Sequence, residues 1–213
     1  MGALDWDHNA FYQRVLLGKL PRRCRRVLDV GCGAGAFAAR LAARVEHVDA
    51  MDISPVMIER AEERTPDNVA CILGDVMRYP LPEAHYDAIV SVTALHHLPL
   101  HDALQRLSRA LRPGGVLAAV ALPRPDLPRE LPAELLGATG HRLLGVGFGA
   151  LRAASRGEWF RHEPTHDVMP VNLDPPLTTR QVRRIAVATL PGSHVRRLVF
   201  WRYLLHWQRP ESA

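Results

Sequence analysis

The sequence predicts an α/β fold: a doubly wound, mostly parallel sheet with helices on both faces. Three observations point to it. Between Val27 and Leu122, short apolar runs alternate with segments of helical spacing; repeated βα units of this length pack as a parallel sheet covered on both sides. The first apolar run ends in a turn with glycine at every second position, and a helix follows at once. The chain has 213 residues, 47% hydrophobic and 23% charged, enough for one domain with a full core and a modest insertion.

The elements follow in order. Residues 27–30 read as the first strand, 36–44 as a helix and 48–52 as the second strand. Ser54-Pro55 has the form of an N-cap with proline at the first helical position, opening a helix through Arg64. Residues 69–73 and 88–92 are the third and fourth strands. In 101–111, Leu104, Leu107, Ala110 and Leu111 recur at helical spacing. Pro113-Gly114-Gly115 reads as a turn and 116–122 as the fifth strand. Residues 123–177 change character: they are rich in proline, glycine and arginine, with short helices expected at 131–136 and 148–154. Such a segment inside a compact domain reads as a lid or binding loop. Helical spacing returns over 178–190, and the aromatic-rich stretch 194–208 reads as a hairpin closing one sheet edge. A single domain is expected, with a helical cap (1–20), a core (27–122 and 178–208) and the inserted lid (123–177).

Bulk properties exclude several functions. No apolar run is long enough to span a bilayer. The first residues, Met1 to His8, are acidic where a secretory leader would be basic and then apolar, so a cytoplasmic location is the expectation. Cys24, Cys32 and Cys71 lack CxxC spacing, which argues against disulfides and zinc; no metal is expected. Cys32 reads as a small residue in a tight place, not as a nucleophile. The net charge of +5 comes almost wholly from arginine, Lys19 being the only lysine. The arginines are scattered and no basic run is interleaved with aromatics, so solvated faces are favoured over a nucleic-acid groove.

The segment Val27-Leu28-Asp29-Val30-Gly31-Cys32-Gly33-Ala34-Gly35 is the centre of the reading. Glycine lets backbone approach a ligand closely, and the amides and positive dipole end of the following helix face the same spot. Gly31-x-Gly33-x-x-Ala36 also fits a loose dinucleotide fingerprint. Asp29 argues against that use: a carboxylate beside the turn repels a pyrophosphate and attracts a cationic amino group. Asp52, at the end of the second strand, is placed to accept from both hydroxyls of a ribose.

These residues resemble the class I S-adenosylmethionine-dependent methyltransferases. The glycine turn is similar to that family's first motif and Asp52 to its ribose-binding acid. Gly74-Asp75-Val76 resembles the adenine-reading segment, Tyr86-Asp87-Ala88-Ile89-Val90-Ser91 the fourth-strand motif, and Leu111-Arg112-Pro113-Gly114-Gly115-Val116-Leu117 the entry to strand five. The resemblance implies a seven-stranded Rossmann-like sheet with an antiparallel last strand, and S-adenosylmethionine as cofactor, leaving as S-adenosylhomocysteine. It implies cofactor contacts at Asp29, Gly31, Gly33, Gly35, Asp52, Gly74, Asp75 and Val76, with Ile53 and Met57 flanking the adenine and Thr93 at the end of strand four. An N-terminal helix lying over the cofactor would bring Tyr12 to its methionine end, with His8, four residues earlier, on the same face.

Methyl transfer from a sulfonium is an in-line displacement, so the protein must hold the acceptor and exclude water. A neutral acceptor also needs a base, and histidine suits that role. His96 and His97 follow strand four, where strand ends face the ligand crevice. His162 and His166 are alternatives, and Trp159, Phe160, Met169 and Asn172 are candidate acceptor-pocket residues. The expected activity is methyl transfer to an oxygen or nitrogen of a small molecule, such as a specialised metabolite. An RNA or protein methyltransferase and a non-catalytic cofactor-binding protein are the alternatives.

Overall fold

The computed structural model describes residues 7–127, 131, 143–146 and 175–211. Seven strands form one sheet: β1 (Arg26–Val30), β2 (His47–Asp52), β3 (Val69–Leu73), β4 (Tyr86–Val92), β5 (Leu111–Ala121), β6 (His194–Leu198) and β7 (Arg202–Gln208). Their order across the sheet is β3-β2-β1-β4-β5-β7-β6. β1 to β5 pair in parallel, and β7 lies antiparallel between β5 and β6. The chain runs outward from β1 to β3, then crosses back to β4 on the other side of β1. That reversal opens a crevice at the carboxyl ends of β1 and β4, where doubly wound sheets bind their ligands.

Among the described residues the sheet is covered by α1 (His8–Leu17), α2 (Ala36–Ala42), α3 (Pro55–Arg64), α4 (Leu100–Ala110) and α5 (Thr179–Thr189). Side chains alternate between the two faces of a strand. Val27, Val48, Ala88 and Ala118 therefore pack with Tyr12 and Leu16 of α1 and with Phe37 and Leu41 of α2. Leu28, Ile89 and Leu117 pack with Leu104 and Leu107 of α4 and with Val182 and Ala186 of α5. Each such leucine buried contributes about 1.5–3 kcal/mol. Asp7 caps α1 by accepting from the amides of Asn9 (2.7 Å) and Ala10 (3.1 Å). α5 opens with a capping box: the Thr178 side chain accepts from the Gln181 amide while the Gln181 side chain accepts from the Thr178 amide.

The elements match the sequence reading with several local differences. β5 begins at Leu111, so Pro113-Gly114-Gly115 lies inside a strand and not in a turn. The β4–β5 register shifts between Tyr86 and Ala88, and Gly114 has φ +77°. The would-be turn is absorbed as an irregularity, held by hydrogen bonds exchanged with Arg209. Ser54 precedes α3 as expected, but its side chain makes no capping bond. α2 ends at Ala42, two residues short of the expected end.

The C-terminal hairpin fastens α1. Its turn residues Phe200 and Trp201 have φ +58° and +57°. The Tyr12 hydroxyl donates to the Val199 carbonyl. The His8 ring stacks on Phe200 at 5.2 Å, and Phe11 meets Phe200 edge-on at 6.2 Å. The inserted segment leaves and re-enters the core at one point, because the Arg124 amide donates to the Leu177 carbonyl at 2.8 Å. The expected helices at 131–136 and 148–154 lie largely or wholly outside the described residues. Among the described residues no helix is long and apolar enough to cross a membrane.

Candidate active site

The crevice is a cavity of about 820 Å³ whose walls include Asp29, Gly31, Gly33, Asp52, Met57 and Val76. Its floor is the glycine turn. The Gly31 and Cys32 amides both donate to the Met51 carbonyl, at 2.8 and 3.0 Å, tying the turn to β2. Asp52 takes the Gly33 amide on Oδ2 and the Ser54 amide on Oδ1, each at 2.9 Å. Two backbone donors thus aim one carboxylate into the cavity, leaving lone pairs free for further donors.

The glycines serve different ends. A Cβ on Gly31 would lie 2.2 Å from the Ala94 Cβ, so the glycine lets the segment after β4 close over the turn. Gly35 does not line the cavity. It has φ +80°, and a Cβ there would meet Thr65 at 2.8 Å and Ala61 at 3.1 Å. Its place is at the contact of α2 with α3.

Asp29 is 1% exposed, and its Oδ2 has no hydrogen-bond partner. Burial, joined by the Asp52 charge, pushes its carboxyl up to about 8. A buried acceptor without a donor is costly, and a cationic amino group would answer it. Gln13 of α1 lines the same cavity; it too is buried, with Oε1 unpartnered. Cys32 lines the wall, but burial and then the Asp29 charge push its thiol up, so it stays protonated.

One end of the cavity is formed by Ile53, Met57, Gly74, Asp75, Val76 and Met77. Asp75 Oδ1 accepts from the Met77 amide at 2.9 Å. Ile53, at the same end, is 70% exposed.

The far wall comes from Thr93, Ala94, His97, Leu98 and Pro99. Thr93 has φ +55°, rare for a β-branched residue. Its amide donates to Val120 at 2.7 Å, and a 3₁₀ turn over Leu95–His97 follows. That turn separates the two histidines. His97 faces the cavity, whereas His96 turns away and lines a separate small pocket with Leu122, Leu177 and Tyr203. The rings lie 4.0 Å apart. Burial, then His97 and Arg202, push His96 down to about 3, so it is neutral at ordinary pH.

The structure thus brings together Asp29, Gly31, Gly33, Asp52, Ile53, Met57, Gly74, Asp75, Val76, Thr93 and His97. Tyr12, Gly35 and His96 are not at the cavity. Tyr12 is 2% exposed and turned to Val199. The N-terminal helix does line the cavity, but through Asn9 and Gln13, each one position beyond the expected His8 and Tyr12. One residue is about 100° of helix rotation. Phe37 and Met77 were also missed. His162, His166, Trp159, Phe160, Met169 and Asn172 lie outside the described residues. Among the described residues no cluster of histidine, cysteine or carboxylate side chains could hold a metal ion.

This sheet order, with an acid on either side of a glycine turn at the switch point, defines a nucleoside-cofactor enzyme of the methyltransferase type. A family model described as a methyltransferase domain matches residues 27–115. An uncharacterised methyltransferase of Mycobacterium tuberculosis is 36% identical over 207 residues, covering 96% of this chain and 98% of its own. The 27-O-demethylrifamycin SV methyltransferase of Amycolatopsis mediterranei is 34% identical over 155 residues, 69% of this chain and 55% of that one. The N-methyltransferase NodS of Bradyrhizobium japonicum, solved with S-adenosylhomocysteine, superposes with a TM-score of 0.60 at 20% identity, over 98% of this chain and 91% of that one. The chain belongs to the class I S-adenosylmethionine-dependent methyltransferases. It is an enzyme, and S-adenosylmethionine is its cofactor. The buried Asp29 oxygen without a donor and the pre-aimed Asp52 carboxylate fit that molecule's amino group and ribose.

Proposed function

We propose that the protein transfers a methyl group to an oxygen or nitrogen of a small molecule. The observation that carries this reading is the cavity itself. Its 820 Å³ is in the range of small-molecule sites, and its described walls include no arginine or lysine to hold a phosphate backbone. The similarity to an enzyme named as a 27-O-demethylrifamycin SV methyltransferase supports it. An RNA acceptor is disfavoured by the absence of cations from those walls.

In this reading Asp29 holds the cofactor's amino group, Asp52 its ribose hydroxyls, and Asp75 with the Val76 amide its adenine. Gly31 and Gly33 keep the turn close beneath it, and Ile53 and Met57 cover the ring. Bound S-adenosylmethionine supplies an electrophilic methyl carbon whose bond to sulfur breaks, with the electron pair, as the acceptor atom bonds to it. His97, facing the cavity beyond Thr93, takes the proton that a neutral acceptor gives up. His96, buried and neutral, packs behind it. Residues 123–177 are proposed as the lid that excludes water and selects the acceptor.

The test is incubation with methyl-labelled S-adenosylmethionine and separate small-metabolite, RNA and protein fractions of a cell extract. A labelled small molecule, absent with Asp52→Ala, is the expected result. Label confined to RNA or protein overturns the reading.

A further inference from the structure

The wall at Gly74–Met77 has no secondary structure of its own to hold it. One compact turn shapes it: the Arg78 and Tyr79 amides donate to the Asp75 carbonyl at 2.9 and 2.8 Å. The Tyr79 ring closes on Gly74, where a Cβ would lie 3.1 Å from the ring. The Val76 carbonyl has no amide partner inside the turn, and the Tyr79 carbonyl accepts the Leu81 amide at 2.8 Å as the chain leaves it. Arg106, from the middle of α4, reaches both. Its Nε donates to the Val76 carbonyl at 2.7 Å, and its Nη2 donates to the Tyr79 carbonyl. The guanidinium is planar, with donors in a fixed fork, so one side chain sets the spacing between two backbone points. α4 is itself firmly placed, with Leu100, Ala103, Leu104 and Leu107 buried in the core. Val76 is 6% exposed and lines the cavity.

We propose that Arg106 is a positioning residue for the cofactor's adenine. Its fork fixes the Asp75–Tyr79 turn so that the Asp75 carboxylate and the Val76 amide stand ready before the ligand arrives. The inference rests on the reading that adenine binds at this turn. It adds that the selectivity of that end is held from α4, by a side chain outside the cavity. Lysine keeps the charge but lacks the planar fork that fixes the spacing of the two donors. Methionine keeps the apolar stem and makes neither bond.

The test is calorimetric binding of S-adenosylhomocysteine and of 5′-methylthioadenosine, which shares the nucleoside but lacks the amino-acid end. Arg106→Met is expected to weaken both ligands by the same factor, about tenfold, as loss of charged-donor hydrogen bonds to carbonyls implies. Arg106→Lys should fall between it and the wild type. In the folded variants, amide exchange should rise over residues 74–79 and not across the sheet; a merely structural role would raise it throughout and leave affinity alone. Wild-type binding of both ligands by Arg106→Met, with weakened binding by Asp75→Ala, overturns the proposal and leaves the adenine site standing. If Asp75→Ala itself binds 5′-methylthioadenosine normally, the adenine assignment fails, and the role of Arg106 with it.

Discussion

The Asp52 carboxylate, at the end of β2, holds the Gly33 amide at 2.9 Å, in the middle of the glycine turn. A charge acceptor therefore shapes the loop before it meets any ligand. Asp52→Ala removes both the loop's tether and the proposed ribose contact. Binding of S-adenosylhomocysteine should fall by about two orders of magnitude, because two hydrogen bonds to a charged acceptor are lost. Asp52→Asn keeps an acceptor oxygen for only one of the two amides, which the aspartate takes on different oxygens, and should fall between, as calorimetry would show.

Asp29 gives a pH dependence. Its folded value of about 8 lies above the ordinary carboxylate range. Between roughly pH 4 and pH 8 the native state holds a proton that the unfolded state has lost. The favourable contribution is full at the acid end and is lost as pH rises through about 8. Denaturant titrations should show this decline in the wild type and not in Asp29→Asn. Binding a cationic amino group favours the ionised carboxylate, so S-adenosylmethionine should release close to one proton near pH 6.5. Titration in buffers of different ionisation heat measures this, and Asp29→Asn should release none.

Gly31→Ala meets two obstacles: φ +73°, and a Cβ 2.2 Å from that of Ala94. The expected loss is about 2–4 kcal/mol of stability. Adding Ala94→Gly removes the collision but not the backbone strain, so about 1–2 kcal/mol of the loss should persist. Urea melts of the single and double variants decide it.

Tyr12→Phe deletes the hydroxyl that donates to Val199. Burial pushes Tyr12 up to about 12, so it is a protonated donor at any working pH. A loss of about 1 kcal/mol is expected, with cofactor affinity unchanged. A large drop in affinity would return Tyr12 to the cofactor site.

His97→Ala should lower the turnover of a neutral acceptor about 10²–10⁴-fold while sparing cofactor affinity. His96→Ala should instead lower the melting temperature, since it empties a packed position. The reverse pattern would exchange their roles.

The strands, the glycine turn and the acids at the strand ends were legible because each is a local pattern. Apolar runs mark β1 to β5, and Asp29 and Asp52 stand at fixed offsets from the glycines. The histidine pair was not separable, because adjacent residues in a 3₁₀ turn diverge by an angle that sequence does not specify. The orientation of α1 was missed for a different reason. The helix is buried on two sides, with Tyr12 against Val199 and Gln13 against the cavity, so neither side stands out in composition. Arg106 was invisible as well, since a cation on α4 reads as a solvated residue until its carbonyl partners are seen.

The hydroxyl of Tyr12 and its partner carbonyl are 187 residues apart. At biosynthetic rates of about 5–20 residues per second, roughly 10–40 s separate their emergence from the ribosome. The contact that fastens α1 to the hairpin is thus among the last that can form. Until the β6–β7 turn has formed, α1 rests on the sheet and α2 without its Tyr12–Val199 and His8–Phe200 contacts. A nascent chain can build the sheet and the glycine turn early, yet the cavity's α1 wall gains its last fastening only when the C-terminal hairpin folds back onto α1. Truncation shortly before Val199 would therefore be felt at the opposite end of the chain, as a cofactor site with one wall unfastened.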